Sequence, residues 1–563
     1  MTRHIRWQIL LIVVGVALTA LLMTYLAVNY TTVLRPGPGG TYVEGIAGFP
    51  RTLNPLLAPS GSVERDVCAL MFNGLTRINA RGEVEPDLAR RWEISAGDIA
   101  VTYTFSIRSD ATWHDGTPVT AQDVLYTISV LQAPDFPGPP ELGSALWRTV
   151  AVREVDRRTV QFLLPVHYAP FLDYTTVPLL PAHILSGTAA ADLPHAPFSH
   201  SPVGTGPFAF ERAELDDGTI TSVILKQAPR QRGTRPYLDR IQFRFYPSFE
   251  QLLAAYDEGE VEGISMLPVQ ALTRAYERTT LNLYSAPLPR YSVVLFNLRR
   301  SDLRFFQEKE VRQALLLAID RQAIIDEVLD GQAVVARGPL IPGTWAYKAD
   351  FPAYDYDPAE ADRLLKSAGW VRQAVGERTR RKEGVWFRFS LLTSNEPERV
   401  AIAERVAEAW LAQGISVTVR TAPPLEVRQA LEAREFEAIL VDFVLPGDPD
   451  PYPLWHETQV DNGQNYAGLA HRRISEVIER ARTLVTGDPG PRRQLYYEFQ
   501  DLFAEEMPAL PLFIPVYTYG VDERVHNVQI GPLTTAADRF RTLNEWWIVP
   551  RRVIVSAAEA GRS

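Results

Sequence analysis

The chain contains 563 residues, of which 46% are hydrophobic and 22% are charged, and its formal net charge is −10. This length predicts two or three lobes, and the composition is that of a globular protein with large cores, which excludes a disordered chain. The acidic balance argues against nucleic acid as a partner, because binding to phosphates needs a basic face.

An apolar segment is the first element along the chain. No residue between Arg6 and Arg35 is charged, and residues 9–28 are nearly all apolar. About 20 such residues cross a ~30 Å hydrocarbon core as a helix. The apolar run is longer than the usual core of a cleaved signal peptide. We therefore favour an uncleaved transmembrane anchor over a signal segment at 7–30.

The charges around this segment predict its orientation. Arg3 and Arg6 precede it, so residues 1–6 are expected in the cytoplasm and the body on the extracytoplasmic side. The predicted localisation is the cell membrane, crossed once. A Pro/Gly tether at 31–40 is expected to join this anchor to the body.

Strands alternate with helices in two separated parts of the body. In the first part, a predicted strand at 239–246 precedes a helix at 248–260, which Ser248 caps and Gly259 ends. The second part repeats this order, with strands and helices predicted in turn at 385–393, 396–414, 415–420, 424–435 and 436–443. Such alternation predicts parallel sheets covered by helices on both faces, and two units predict two lobes with a crevice between them.

The stretch from 79 to 199 has a different pattern. Residues 101–108 and 159–164 alternate as amphipathic strands, and a helix is predicted between them at 120–132. We expect a separate α+β insertion here.

Motifs that suggest catalysis or metal binding lack the residues that such sites need. His114 and Asp115 are adjacent in an extended segment and point to opposite faces, so they do not form a dyad. The stretch HETQV (456–460) has Val460 where a zinc-protease motif needs its second histidine. The single cysteine, Cys68, excludes an internal disulfide and is interpreted as a buried, inert thiol. We predict no catalytic residue, no metal and no cofactor.

Three aspartates, Asp442, Asp448 and Asp450, lie within nine positions in the stretch VDFVLPGDPDP (441–451). They could be metal ligands, a catalytic pair, part of a turn or an anchor for a cationic ligand. A calcium loop needs oxygen ligands at every second position followed by glycine, which this stretch lacks. For Asp448 and Asp450 we favour a loop-shaping role at the crevice rim, because the prolines beside them have a fixed φ.

Five segments carry a family resemblance. They are FPRTLNPLLA (49–58), the stretch from EPDLARRW to AQDVLYT (85–127), SPVGTGPFAF (201–210), FFQEKEVRQALLLAIDRQAII (305–325) and YDPAEADRLLKSAGW (356–370). In this order they resemble the extracytoplasmic solute-binding proteins of ABC importers, in the dipeptide/oligopeptide/nickel-binding group (family 5). The resemblance covers about residues 41–545.

The resemblance implies a periplasmic-binding-protein-like type II fold of the α/β class, with two α/β lobes, a ligand crevice and an inserted α+β domain. The implied parts are a discontinuous domain I (41–78, 200–295 and 515–550), domain II (79–199), domain III (296–514) and a C-terminal tail (551–563).

The resemblance also implies candidate site residues. In peptide-binding members of the group, an aspartate of domain III pairs with the α-ammonium of the ligand. The matching position is Asp442, although this chain has Leu440 near the family's tryptophan and a longer gap before the Asp-Pro pair. The candidate ligand-binding residues are Asp442, Phe443, Leu53, Asn54, Trp455 and Asn297.

A binding protein and not an enzyme is therefore expected. It would capture peptides between two closing lobes and deliver them to ABC permease subunits in the membrane, as a monomer. Other solutes, an oligosaccharide or a nickel complex, are alternatives, as is a membrane-anchored ligand sensor. The remaining alternative is a membrane-anchored hydrolase that uses Asp442, Asp448 and Asp450.

Overall fold

The structure is a computed structural model that describes residues 2–554 apart from residues 60, 230–234, 353, 374–375, 446 and 487. Met1 of the predicted cytoplasmic segment and residues 555–563 of the predicted C-terminal tail lie outside the described residues.

The described part of the chain forms 22 β-strands and 16 α-helices. The strands are β1 Thr32–Gly37, β2 Thr41–Ala47, β3 Thr76–Ile78, β4 Val84–Pro86, β5 Ala89–Ala96, β6 Val101–Ile107, β7 Ala151–Asp156, β8 Thr159–Leu164, β9 Phe208–Asp216, β10 Thr219–Gln227, β11 Arg240–Tyr246, β12 Gly263–Ile264, β13 Leu281–Pro287, β14 Arg290–Phe296, β15 Ala333–Val335, β16 Arg381–Lys382, β17 Val385–Trp386, β18 Arg388–Ser394, β19 Ser416–Ala422, β20 Ala438–Val444, β21 Ala509–Asp522 and β22 Val549–Ile554. The helices are α1 Thr2–Thr31, α2 Val63–Met71, α3 Ala121–Gln132, α4 Ser144–Trp147, α5 Phe171–Tyr174, α6 Ala182–Leu185, α7 Phe249–Asp257, α8 Leu272–Tyr276, α9 Lys309–Leu317, α10 Arg321–Val328, α11 Pro358–Ser367, α12 Pro397–Ala412, α13 Pro424–Ala433, α14 Tyr452–Trp455, α15 Arg472–Thr483 and α16 Gly490–Glu506.

One mixed sheet runs through both lobes. Its strands follow the order β19-β18-β20-β14-β21-β12-β2-β11-β10-β9, and β13 and β15 pair with β21 beside this path. Parallel pairing occurs near its two ends, between β18 and both β19 and β20, and between β2 and both β11 and β12. The central strands β14 and β21 are antiparallel to their neighbours. The predicted parallel sheets are thus two parts of one mixed sheet, which corrects the expectation of purely parallel lobes.

The strand β21 belongs to both lobes. Its first half pairs with β14 and its second half pairs with β13, both antiparallel. Between those partner strands, Leu288 donates its N–H to the carbonyl of Pro515 at 2.9 Å. Residues 281–296 and 509–522 therefore form a two-stranded connection between the lobes. The predicted domain boundary between residues 514 and 515 falls inside this strand.

Apolar side chains cover both faces of the strands in domain III. Helices α9 to α12 pack on one face, around Phe296 and Trp410, and α13 to α16 pack on the other, around Tyr496 and Trp455. Domains I and II instead share one continuous core, to which the antiparallel sheet β5-β6-β8-β7 contributes. The inserted α+β domain is consequently fused to the first lobe.

Three local interpretations of the sequence are confirmed. The Ser248 side chain accepts the N–H of Gln251 and so caps α7. His114 Nδ1 accepts the Gly204 N–H at 3.1 Å, and its Nε2 lies 3.0 Å from a carbonyl oxygen of the same glycine loop. This histidine therefore holds a glycine turn and makes no dyad. Cys68 is buried, and burial raises the pKa of its thiol.

The N-terminal segment forms the helix α1, whose apolar side chains are exposed, among them Leu10, Val13 and Leu21. Within the described part of the chain, no helix combines the length and the hydropathy that crossing a bilayer requires. Residues 31–40, predicted as a tether, contain β1, which pairs antiparallel with β22 along all six residues. The predicted tail therefore starts inside a strand.

A buried charge cluster joins three segments of domain I. Arg539 is fully buried and contacts Glu44 on β2 and Asp66 on α2, each at 2.8 Å. The hydroxyls of Tyr42 and Tyr519 donate to the same glutamate, at 2.5 and 2.8 Å. Burial raises the pKa of Glu44, and the guanidinium opposes this rise. Two carboxylates thus depend on one cation in the core.

Replacing Arg539 with Met should destabilise the protein by about 3–5 kcal/mol, because it leaves two carboxylates buried without their counter-ion. The urea midpoint, followed by tryptophan fluorescence, measures this loss. Arg363→Met is the matched control, since that arginine forms an exposed pair with Glu360, and its midpoint should stay at the wild-type value. Equal midpoints for the two variants would contradict the assigned role of the cluster.

Candidate ligand crevice

The two lobes meet around a small cavity. Loops of all three domains line it, including Gly82 of domain II, Ile341, Leu445 and Gly447 of domain III, and Leu533 of domain I. Its volume is about 20 Å³, which is enough for roughly one water molecule. A ligand of peptide size does not fit this cavity, so binding between the lobes requires that they part.

Backbone hydrogen bonds cross the crevice at two places. The Ala169 N–H in domain II donates to the Arg482 carbonyl in domain III at 2.8 Å, and the Trp345 N–H in domain III donates to the Arg81 carbonyl at 2.9 Å. Both bonds connect loops of opposite lobes and would break if the lobes moved apart. Their presence shows that the lobes are closed in this structure.

The candidate anchor Asp442 lies near the C-terminal end of β20. Its Oδ1 accepts the hydroxyl of Ser292 on the adjacent β14 at 2.5 Å, and its Oδ2 is ion-paired with Arg399 at the start of α12. The guanidinium also donates to the Ser292 hydroxyl, at 3.1 Å. The carboxylate is 18% exposed. A ligand ammonium would therefore have to exchange with the protein's own cation.

The second aspartate, Asp448, is buried and neutralised within domain III. It forms an ion pair with Arg492 of α16, one contact of which is 2.8 Å, and it accepts the hydroxyl of Tyr496 at 3.1 Å. The same guanidinium lies over the Trp345 ring at 5.3 Å. This geometry goes beyond the loop-shaping role predicted for Asp448, because its charge binds a specific arginine.

The third aspartate, Asp450, faces Arg482 of α15 at 3.5 Å. Burial raises the pKa of Asp450 to about 6, and the nearby Asp448 carboxylate adds to the rise. The Arg482 guanidinium lies over two rings, that of Tyr452 at 4.1 Å and that of Tyr168 in domain II at 4.9 Å. The three aspartates thus each face a different arginine, and they do not form the trio that a hydrolase would need.

A fourth carboxylate, Asp173 on α5 of domain II, lies against this loop. A Cβ on Gly447 would be 2.6 Å from its Oδ1, and that oxygen is buried without a hydrogen-bond partner among the described residues. Burial and the Asp448 carboxylate raise the pKa of Asp173, while Arg492 and the Asp448 N–H oppose the rise. An acidic group of one lobe is therefore pressed against an acidic group of the other.

The other predicted site residues pack inside the lobes. Phe443 packs edge to face on Trp455 with a centroid distance of 6.4 Å, and Leu53 is fully buried. Asn54 donates to Ser199 Oγ at 3.3 Å, and Asn297 donates to two backbone carbonyls at 3.0 and 3.2 Å. None of the five is among the described residues that line the cavity. The amides of Asn54 and Asn297 hold loops together.

Sequence reasoning missed the residues that surround Asp448 and Asp450, namely Arg482 and Arg492 of the same lobe and Tyr168 and Asp173 of domain II. They come from three separate segments, and no local motif marks them. The one signal for them is Arg492, which lies beside the apolar positions of α16. An arginine in such a buried position requires an acidic partner.

This architecture defines a class of protein. Two α/β lobes joined by two strands, with a crevice at the loop ends of their sheets, form a binding protein that closes on a solute. The family model for bacterial extracellular solute-binding proteins, family 5 (middle part), matches residues 83–465. The chain belongs to this family.

Curated relatives extend the similarity over nearly the whole chain. The chain is 27% identical over 527 residues to the oligopeptide-binding protein AppA of Bacillus subtilis, covering 91% of this chain and 92% of that protein. It is 26% identical over 523 residues to the dipeptide-binding protein of Escherichia coli, covering 88% and 92%.

A solved structure shows the same fold. The oligopeptide-binding protein AppA from Bacillus subtilis, determined in complex with a nonapeptide, superposes with a TM-score of 0.65 at 25% identity. The match covers 92% of this chain and all of that chain.

Gly447→Ala should weaken the closed form, because its Cβ would lie 2.4 Å from Ile78 Cδ1 and 2.6 Å from Asp173 Oδ1 and both side chains would have to shift. Overpacking of this kind costs about 1–3 kcal/mol, so the closed form should become several-fold less populated. Small-angle scattering should show a larger radius of gyration. Gly187→Ala is the control, since nothing lies within 4 Å of its added Cβ. An unchanged radius in Gly447→Ala would contradict the tight contact.

Proposed function

We propose that this protein is the extracytoplasmic peptide-binding component of an ABC importer, and that it carries out no chemistry itself. The observation that carries the proposal is the match over about nine-tenths of the chain to two relatives that are both named as peptide-binding proteins. The crevice between closing lobes supports it. Asp442, Asp448 and Asp450 each face an arginine, which is unfavourable for a hydrolase.

A peptide enters the crevice in an extended form when the lobes part. Backbone groups such as the Ala169 N–H and the Arg81 carbonyl, which bond across the crevice in the closed structure, become free to bond to the peptide backbone. Hydrogen bonds to the backbone favour peptides without selecting side chains. The peptide then stabilises the closed form to the extent that it binds that form more tightly.

Asp442 is the proposed partner of the peptide's α-ammonium. Its position at the C-terminal end of β20 supports this role, because open α/β sheets bind ligands at that edge. Arg399 takes the ammonium's place when no peptide is bound, which spares the mostly buried carboxylate an unpaired charge. Because the ammonium must displace Arg399, it contributes less binding free energy than it would at a carboxylate without a partner.

Asp442→Asn should weaken binding of peptides with a free amine about 10- to 100-fold, since a charge-assisted hydrogen bond contributes about 1.5–3 kcal/mol. The N-acetylated forms of the same peptides should lose far less. Isothermal titration calorimetry of each pair measures the difference, and Asp461→Asn, in an exposed ion pair of the same lobe, serves as control. Equal losses for free and acetylated peptides would remove the anchor role from Asp442.

The choice of peptide over other solutes has its own test. Di- to nonapeptides should raise the melting temperature of the protein in a thermal-shift screen, because a ligand that binds only the folded state stabilises it. Free amino acids, oligosaccharides and nickel chelates complete the screen. A shift with a glycan or a chelate and none with any peptide would replace the proposed ligand.

The proposal includes an uncleaved membrane anchor at residues 7–30 and ABC permease subunits as partners. The absence of charge between Arg6 and Arg35 supports it, as do the exposed apolar side chains of α1. An anchored binding protein stays near its permease, which raises the effective concentration of the pair.

Replacing Val16 and Leu18 with Asp should release the full-length protein from membranes in alkaline carbonate, because each central Asp opposes insertion by roughly 2.5–3.5 kcal/mol. The wild type should stay with the membrane pellet. The matched control replaces Ile99 and Leu215, which are equally exposed apolar residues of the body, and should also stay in the pellet. A wild-type protein that appears in the supernatant would contradict the anchor.

A further inference from the structure

The junction between domains II and III contains more acidic than basic groups. Three carboxylates, those of Asp173, Asp448 and Asp450, meet two guanidiniums, those of Arg482 and Arg492. Asp173 comes from the first lobe, and the other four come from the second. We call these five residues the acidic junction.

Each guanidinium of the acidic junction already has a partner. Arg492 binds Asp448 through two contacts, and its Nε donates to the Ala481 carbonyl at 2.8 Å. Arg482 lies 3.5 Å from Asp450. The Oδ1 of Asp173 is left buried without a hydrogen-bond partner among the residues that the structure describes. The carboxylate in excess is therefore the one that closure brings in from the opposite lobe.

Every element around Asp173 contributes to this balance. Asp448 of the loop after β20 and Arg492 of α16 act on Asp173 directly. Behind them, the Tyr496 hydroxyl of α16 donates to Asp448, and Arg482 of α15 faces Asp450. From domain II itself, the ring of Tyr168 lies beside Arg482. Asp173 Oδ1 is buried and lies 2.6 Å from the place that a Cβ on Gly447 would take, directly before Asp448. Two neighbouring carboxylates in such a water-poor site cannot both ionise without a large cost, so one of them takes up a proton.

We propose that closure of the two lobes takes up a proton at the acidic junction, so that the protein closes on its ligand more firmly at acidic than at alkaline pH. Asp173 is a positioning residue in this mechanism, because it acts through lobe closure and does not touch the ligand. The inference rests on the closure described under the proposed function, and it does not depend on the ligand being a peptide.

The direction of the pH effect follows from the two forms of the protein. In the open form Asp173 is separated from Asp448, and its pKa returns towards that of an ordinary carboxyl group. In the closed form its pKa is raised. Closure is therefore fully favoured below the open-form pKa and is lost as the pH rises through the closed-form pKa. Between these values the ratio of closed to open protein falls by up to about tenfold per pH unit.

Asp450 adds a second, smaller contribution. Its closed-form pKa is about 6, so its proton uptake on closure affects only the pH range between about 4 and 6. The two aspartates thus act in different parts of the pH scale, which separates their effects in an experiment.

The test measures lobe closure directly, without ligand, in the full-length protein. Fluorophores on cysteines that replace the exposed residues Val155 in domain II and Leu425 in domain III report the distance between the lobes by energy transfer. The native Cys68 is buried and remains unlabelled. Between pH 5 and pH 8 the ratio of closed to open wild-type protein should fall at least tenfold. Asp173→Asn cannot take up the proton at this position, so above about pH 6 it should stay closed, and below that pH it should show only the response of Asp450.

Two further variants complete the design. Asp302→Asn removes an exposed carboxylate remote from the acidic junction and should keep the wild-type profile. Asp450→Asn should lose only the part of the response below about pH 6, and it provides the test if circular dichroism shows that Asp173→Asn does not fold. A pH-independent wild type, or wild-type profiles in both junction variants, would overturn the proposal. A normal pH response in a protein that binds no peptide would reject only the proposed ligand.

Discussion

The two lobes depend on one strand that both of them use. β21 is almost entirely buried along its 14 residues. In its first half it pairs with β14, whose other neighbour is β20 of domain III, and in its second half it pairs with β13 of domain I. Separating the lobes along this strand would leave buried N–H and C=O groups without partners, and each such group costs about the free energy of one hydrogen bond. The lobes therefore do not separate along this strand. They can only rotate about the connection formed by 281–296 and 509–522. Closure is therefore a rotation whose end point is set by the loops that collide.

Those loops carry the charges that define the end point. The loop after β20 reaches domain II with Asp448 already paired to Arg492, and there it meets Asp173. Charged groups at a moving interface usually stay in water, because the cost of desolvating them offsets most of the attraction between the two charges of a pair. Here the contact is close enough that a side chain on Gly447 would require Ile78 or Asp173 to shift. The same residues that tighten the contact also make it sensitive to protonation.

Local structure was predictable because its causes are local. The helix predicted at 248–260 is α7, Phe249–Asp257, since the Ser248 cap needs only the N–H three residues later. The strand predicted at 436–443 is β20, Ala438–Val444, for its apolar run is buried on both faces. The mixed character of the sheet was not predictable in this way, because antiparallel pairing of β14 with β20 joins segments about 150 residues apart. The periodicity of apolar residues predicts a strand but does not predict which strand pairs with it or in which direction.

The sequence by itself determined the alternation of strands and helices, the family resemblance and the position of an acidic loop at the end of a strand. Only the tertiary structure decided which arginine faces each aspartate: Arg399, 43 positions before Asp442, and Arg492, 44 positions after Asp448. The physical reason is that helix and strand propensity act over a few residues, whereas the state of a carboxylate depends on every charge and on the water within several ångströms of it. Three aspartates that look alike in the chain are therefore different groups in the folded protein.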